Sequence, residues 1–257
     1  MKIIDAHNHL FLESNYEEKL LDTMNICGIN KCCLSGLGAL FYCGTNEDVK
    51  SVINHYPSRF IGAYFIRPGI SKVGDIEQAY RDGFKMLKVT IPILPYDDLS
   101  YYPYWKKAEE LCMPILFHTG VVTIAGNSRG ENINSWRMHP MRLELIANEF
   151  PDLNIIIAHL GVHWNTDAAE LARMKPNVYV DLSGELKGWR SRADTEGMDK
   201  YLWWKGAWKK VIFGTDVYYT KIAKLLHQDQ ERLDHFHVKE STRKLIFHGN
   251  IAKLLGI

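Results

Sequence analysis

Eight short runs rich in β-branched and other apolar residues recur along the chain, separated by longer stretches with helical spacing. The runs fall at about 2–8, 29–35, 59–66, 83–90, 114–119, 154–159, 177–183 and 210–215, one start about every 30 residues, the size of a βα unit. Helical spacing covers Glu17–Ile26, Asn46–His55, Val73–Arg81, Tyr104–Leu111, Pro140–Phe150 and Asp167–Met174, with Pro57, Gly83 and Pro151 placed to stop it. Segments 184–209 and 220–237 are crowded with charge and tryptophan and give no clear bounds for a seventh and an eighth helix. A last helix is predicted over about Ser241–Leu255. Such alternation confines the chain to the α/β class, as a closed barrel or an open doubly wound sheet. The open sheet calls for a Gly-rich phosphate turn after the first strand, where this chain has Asp5, Ala6, His7, Asn8 and His9. A single (β/α)8 TIM barrel is therefore predicted, one domain over 1–257. The length of 257 residues is close to the roughly 250 typical of that fold.

Composition narrows the function classes. Hydrophobic residues make up 46% and charged residues 24%, which fits an ordinary soluble globular protein and excludes disordered or coiled-coil chains. Lys plus Arg is 31 against 30 for Asp plus Glu, and a net charge of +1 supplies no general attraction for nucleic acid or an anionic membrane. The expected partner is a small molecule, and any anion must be bound locally. No apolar run has the length of a signal peptide or of a membrane span. The odd, scattered set of Cys27, Cys32, Cys33, Cys43 and Cys112 reads as reduced thiols of a cytoplasmic protein. Adjacent Cys32 and Cys33 should face opposite sides of one strand as core thiols.

Barrel enzymes take their active-site groups from the carboxyl ends of the strands. Strand one ends with His7 and His9, two residues apart and so on one side. Strand five ends with His118, strand six with His159, and strand eight runs through Phe213, Gly214 and Thr215 to Asp216. Imidazole nitrogen and carboxylate oxygen are the ligands of a zinc-type ion that keeps a position open for water. Such an ion lowers the pKa of that water and polarises a carbonyl. A lone His-x-His means little: a second copy, His235 and His237, lies in a charged segment and reads as solvated surface. The strand context, shared with three other strand ends, singles out the first copy.

Asp5-Ala6-His7-Asn8-His9, Phe117-His118, His139-Pro140 running to Phe150-Pro151-Asp152-Leu153, Ile157-Ala158-His159-Leu160-Gly161, Phe213-Gly214-Thr215-Asp216 and Gly249-Asn250-Ile251-Ala252 occur in this order along the whole chain. In these segments the sequence resembles the amidohydrolase-related branch of the amidohydrolase superfamily. That branch comprises metal-dependent barrel hydrolases and includes enzymes like aminocarboxymuconate-semialdehyde decarboxylase. The resemblance implies that His7, His9, His118 and Asp216 hold one divalent metal, usually zinc, with manganese or a second ion left open. It implies His159 as the acid/base group, with Asp216 also able to accept a proton. The implied activity is hydrolysis of an amide, lactone or ester, the alternative being non-oxidative decarboxylation at the same metal. The oligomeric state, monomer or homodimer, stays open.

Other members of the superfamily bridge two metals with a carboxylated lysine on strand four. Lys85 and Lys88 stand three apart there, so only one points inward, and Lys88 is read as a substrate-pairing or helix-facing lysine, with carboxylation of an inward Lys88 as the alternative. After Asp216 the chain continues Val217, Tyr218, Tyr219, where relatives often have a proline-containing turn. His139 and His163 are read as substrate-facing or structural, and Asp181 with Ser183 as a polar pair lining the barrel. Loops after the strands carry Arg67, Arg129, Trp164, Trp189, Arg190 and Arg192. Arginine matches a carboxylate and tryptophan stacks on planar ligands, so a small carboxylated, cyclic or aromatic substrate is expected, with Arg129 and Trp189 among its contacts.

Overall fold

The computed structural model describes residues 1–124 and 126–257. Its strands are β1 (Ile4–His9), β2 (Lys31–Ser35), β3 (Phe60–Ile66), β4 (Met86–Val89), β5 (Ile115–Phe117), β6 (Ile155–Ile157), β7 (Val178–Asp181) and β8 (Val211–Ile212). They form one sheet in chain order, and every neighbouring pair is parallel. Ala6 N donates to Phe213 O at 3.0 Å, and His7 O accepts from Thr215 N and Asp216 N at 3.1 and 2.7 Å, which joins β1 to the end of β8 and closes a (β/α)8 barrel.

Parallel strands buried on both faces need two cores. Inside the barrel lie Ile4, Ala6, Cys33, Ile61, Ala63, Met86, Leu116, Ile156, Ala158 and Ile212, against which Ile251, Ala252, Leu254 and Leu255 of the last helix pack. Outside, the other strand faces meet the helices, with Cys32 in that layer and Cys33 in the inner one, as adjacent strand residues require.

The helices are α1 (Tyr16–Cys27), α2 (Asn46–His55), α3 (Gly74–Arg81), α4 (Tyr102–Glu110), α5 (Leu143–Glu149), α6 (Asn165–Met174), α7 (Trp189–Glu196), α8 (Tyr219–His235), α9 (Glu240–Lys244) and α10 (Asn250–Leu255). Tyr16, Leu20 and Met24, four apart, are the buried stripe of α1, and a Thr45–Asp48 capping box starts α2. The expected helix over Pro140–Phe150 divides into a 3₁₀ turn, Pro140–Arg142, and α5. The last helix divides into α9, a π turn over Leu245–Gly249, and α10. The two undefined segments hold α7 and α8. Only Arg190 and Ala193 of α7 are buried, so no apolar stripe marks it in the sequence. Among the described residues no helix is long and apolar enough to cross a membrane.

Candidate active site

Plain strand alternation does not bring all the candidate groups to one point; local backbone irregularities do. In β1, Ile4 and Ala6 point inward, so His7 ought to point out. The register against β2 shifts between Asp5, opposite Cys32, and Asn8, opposite Leu34, an extra residue that turns His7 and His9 to the barrel mouth. After β6, His159 (φ 57°) and Leu160 (φ 46°) take the left-handed conformation and turn the imidazole inward, whereas Asp216 (φ 49°), four residues after inward Ile212, keeps the parity of β8. His118 and Lys88 continue the inward alternation of Leu116 and Met86. Asp5 fastens β1 to β8 by accepting from His7 N (3.1 Å), Thr215 N (3.0 Å) and Thr215 Oγ1 (2.5 Å), and Asn8 Nδ2 donates to Thr215 Oγ1 at 2.7 Å. Burial, working against those donors, raises the Asp5 carboxyl to about 7.

Ligand atoms of His7, His9 and Asp216 lie within 4.8 Å of one another. His9 Nε2 is 2.9 Å, and His7 Nε2 3.8 Å, from Asp216 Oδ1. His118 Nε2 is buried without a hydrogen-bond partner, and a buried imidazole nitrogen left unpaired is costly unless a cation takes its lone pair. Three imidazoles and one carboxylate are a fitting donor set for a divalent ion of the zinc type. A second group, His7, His159 and Asp181, is equally close. Asp181 there already accepts from His7 Nδ1 (2.8 Å), His159 N (2.7 Å), Ser183 N (3.0 Å) and Ser183 Oγ (2.6 Å), so it supports the histidines from behind.

Burial fixes the charge states. It lowers His7 to about 4, with the Lys88 ammonium acting in the same direction, and it lowers His9 and His118 as well. All three imidazoles are therefore neutral at pH 7, the form that can ligate. Burial opposes the charge of Asp216, but His7 and His9 outweigh it and hold the carboxyl well below its usual range. His7 Nδ1 faces Asp181, and its Nε2 accepts from Lys88 Nζ at 2.7 Å. Burial lowers Lys88 to about 8. Ser35, level with His9 on β2, lies 2.8 Å from His9 Nδ1.

These groups form one wall of a cavity of about 410 Å³, lined by His9, Lys88, His118, His159 and Asp216. Phe11, Leu37, Phe41, Cys43, Val121, Val122, Val162 and Trp189 form the rest, with Thr90, Thr123 and Glu185 as further polar groups. A larger cavity of about 610 Å³, lined by Lys2, Gly28, Lys31 and Arg59 among others, lies at the amino-terminal ends of the strands and holds none of the candidate groups.

Three expected substrate contacts do not reach the cavity. Arg129 is exposed on its loop, and His163 is exposed beyond Val162. His139 packs between the tilted rings of Trp136 and Trp164, its centroid 4.8 and 4.5 Å from theirs, and its Nδ1 accepts from Met141 N at 3.2 Å, which makes it a fastener of the loop. Of the other loop arginines, Arg67 is bound to Glu131 and Ile91 O, Arg190 to Asp229, and Arg192 to Glu196. Among the described residues, no arginine lines the cavity. Lys88 and Trp189 do line it, and the helix-facing alternative for Lys88 is excluded by its inward burial. In the sequence Asp5 and Thr215 stand inside the quoted segments without a role of their own and Ser35 is unmarked, although each lies at or beside the end of a ligand-bearing strand or its neighbour.

No curated protein sequence matches the chain. Among solved structures it is similar to an uncharacterised TIM-barrel protein of Bordetella bronchiseptica (18% identity, TM-score 0.75, covering 100% of this chain and 99% of that one). It is also similar to a probable 2-pyrone-4,6-dicarboxylic acid hydrolase of Acinetobacter baumannii with citric acid bound (15%, 0.70, 100% of both chains). A third is the 5-carboxyvanillate decarboxylase of Novosphingobium aromaticivorans complexed with manganese and a nitrobenzoic acid (16%, 0.66, 99% of this chain and 96% of that one). At these identities the likeness speaks for the barrel alone. The amidohydrolase family profile matches residues 38–257, which takes in His118, His159 and Asp216, and the chain belongs to that family of enzymes.

Proposed function

We propose that this protein is a metal-dependent hydrolase that adds water to the carbonyl carbon of an amide, ester or lactone in a small substrate with an apolar, planar body. His159, facing Asp216 Oδ2 across 3.6 Å at the donor-lined end of the cavity, carries this reading. His7, His9, His118 and Asp216 would hold the ion, zinc in this reading, and the lone pair of His7 Nε2 that now accepts from Lys88 would then go to the ion, leaving the Lys88 ammonium for the substrate. When bound there, it supplies water activation and carbonyl polarisation. His159 accepts the proton of the attacking water at Nε2 and delivers it to the leaving group, work suited to an imidazole at neutral pH. Asp216 Oδ2 steadies the imidazolium so formed. Phe11, Phe41, Val162 and Trp189 exclude water and hold the substrate body.

Decarboxylation at the same site is the second reading, favoured by the position of Lys88. Among the described residues it is the one lysine lining the cavity, and it stands 2.7 Å from His7 Nε2, so a lone substrate carboxylate paired with it lies at the reacting end, where it can leave as CO₂. The carbon–carbon bond then breaks, its electron pair stays on the ring carbon, and that carbon takes a proton that His159 Nε2 passes on from water. The partner in both readings is a small molecule handled in the cytoplasm. Zinc- and manganese-reconstituted protein, screened against aryl monocarboxylates, lactones and amides while CO₂ and acid release are followed, separates them. Acid release without CO₂, lost in His159→Gln, is expected; CO₂ evolution establishes the second reading, and turnover that survives in His159→Gln overturns both.

A further inference from the structure

Ser183 sits between two imidazoles, its Oγ 2.9 Å from His159 Nδ1 and 3.0 Å from His7 Nδ1. A hydroxyl has a single hydrogen to give. The shortest contact, 2.6 Å, is to Asp181 Oδ1, and a hydrogen bond to a carboxylate is the strongest on offer. With that hydrogen directed to Asp181, Ser183 Oγ can only accept. The other atom near His159 Nδ1 is the Ser183 carbonyl oxygen at 3.4 Å, also an acceptor. Two acceptors and no donor face His159 Nδ1, so that nitrogen carries the proton and the lone pair of the neutral ring lies on Nε2. His7 obeys the same rule: its Nδ1 faces Asp181 Oδ2 at 2.8 Å, and its Nε2 accepts from Lys88.

We propose that Ser183 is a positioning residue that locks His159 in the Nδ1–H tautomer, leaving Nε2 as the proton-accepting atom beside Asp216. Asp181 orients the serine hydroxyl, and Trp189 Nε1, donating to Ser183 O at 3.2 Å, holds the segment in place. Gly184 (φ 116°) follows, and a Cβ there would stand 3.2 Å from Trp189 Nε1 and 3.7 Å from His159 Nδ1, so a side chain would crowd the pair.

The inference rests on His159 as the proton-transfer group, and the two can fail separately. Long-range ¹H–¹⁵N correlation on full-length, ¹⁵N-labelled, zinc-loaded protein, with His159 assigned through His159→Gln, reads the tautomer directly. The expected result is a protonated Nδ1 and an unprotonated Nε2 in the wild type. Ser183→Ala should populate the other tautomer and lower kcat about 10- to 100-fold, less than the roughly 10²–10⁴-fold worth of general acid–base catalysis because the imidazole itself remains, with KM and zinc content unchanged. Ser183→Thr, which keeps the hydroxyl, should restore the wild-type tautomer and most of kcat. An Nε2–H tautomer in the wild type overturns the proposal without any variant having to fold, and so does a Ser183→Ala protein with the wild-type tautomer and kcat. Undiminished turnover in His159→Gln instead removes the acid/base reading, whichever tautomer is found.

Discussion

Replacing Asp181 by asparagine keeps the shape of the support behind the metal ligands and alters one atom. Oδ1 of Asp181 accepts from His159 N, Ser183 N and Ser183 Oγ at 2.7, 3.0 and 2.6 Å, so the amide oxygen of Asn must take that side. Its NH₂ then falls opposite His7 Nδ1, where the carboxylate oxygen stood at 2.8 Å. Two N–H groups cannot face each other, so His7 must move its proton to Nε2, the atom directed at Asp216 and the cavity. An Nε2–H imidazole has no lone pair for a metal. Loss of a carboxylate behind a ligating histidine costs about 10- to 100-fold in metal affinity, or about 1.4–2.7 kcal/mol. The lost charge-assisted hydrogen bond destabilises the fold by about 1.5–3 kcal/mol besides. Competition titration of zinc against a chromophoric chelator, run on stripped wild-type and Asp181→Asn protein, measures the first quantity, and urea unfolding the second. A cooperatively folded variant with zinc affinity within about threefold of wild type would refute both the tautomer assignment and the ligand role of His7 Nε2.

Further outcomes follow from the same geometry. The metal-stripped protein should lose stability as pH falls from about 6.5 to 4.5, because unfolded imidazoles bind protons that buried His7, His9 and His118 refuse; with His7 lowered to about 4, its share is ~3 kcal/mol by pH 4, while Asp5, raised to about 7 and so protonated in the fold, works the other way and offsets about one of the three histidines. A flat or rising urea-unfolding free energy over that window would contradict the neutral buried cluster. Gly120→Ala should destabilise by about 3 kcal/mol or more, since Gly120 has φ 102° and a Cβ would lie 1.6 Å from Val162 O; unfolding free energies near wild type would show that the loop beside His118 yields freely. Arg190→Met should cost about 3 kcal/mol by the same measurement, because buried Arg190 pairs with Asp229 and donates to Leu182 O; Arg232, which also pairs with Asp229, keeps the figure at the low end, and a neutral effect would mean the pair contributes nothing.

The strands were legible because strands covered on both faces must be apolar throughout, as in Ile155–Ile157 and Ile115–Phe117, and because Gly and Pro end the intervening helices. Helix α7 was not legible, since its buried arginine reads in sequence as surface charge. Reading the strand ends picked out His7, His9, His118, His159 and Asp216, and the structure gathers them at one end of the barrel. Three of the loop arginines misled for a physical reason: a guanidinium seeks any carboxylate within reach, and Glu131, Asp229 and Glu196 hold Arg67, Arg190 and Arg192.

Sequence alone determined the barrel, its strand order and the residue types at the strand ends, because hydrophobic period and turn chemistry are local properties of the chain. Tertiary structure decided which nitrogen of each imidazole is free and which loop residues meet the cavity. The extra residue in β1 and the left-handed backbone at His159 reverse the parity that alternation predicts. Asp181 and Ser183 then set the protons on His7 and His159 from a strand some 20 to 170 residues away, contacts that exist only once the barrel has closed.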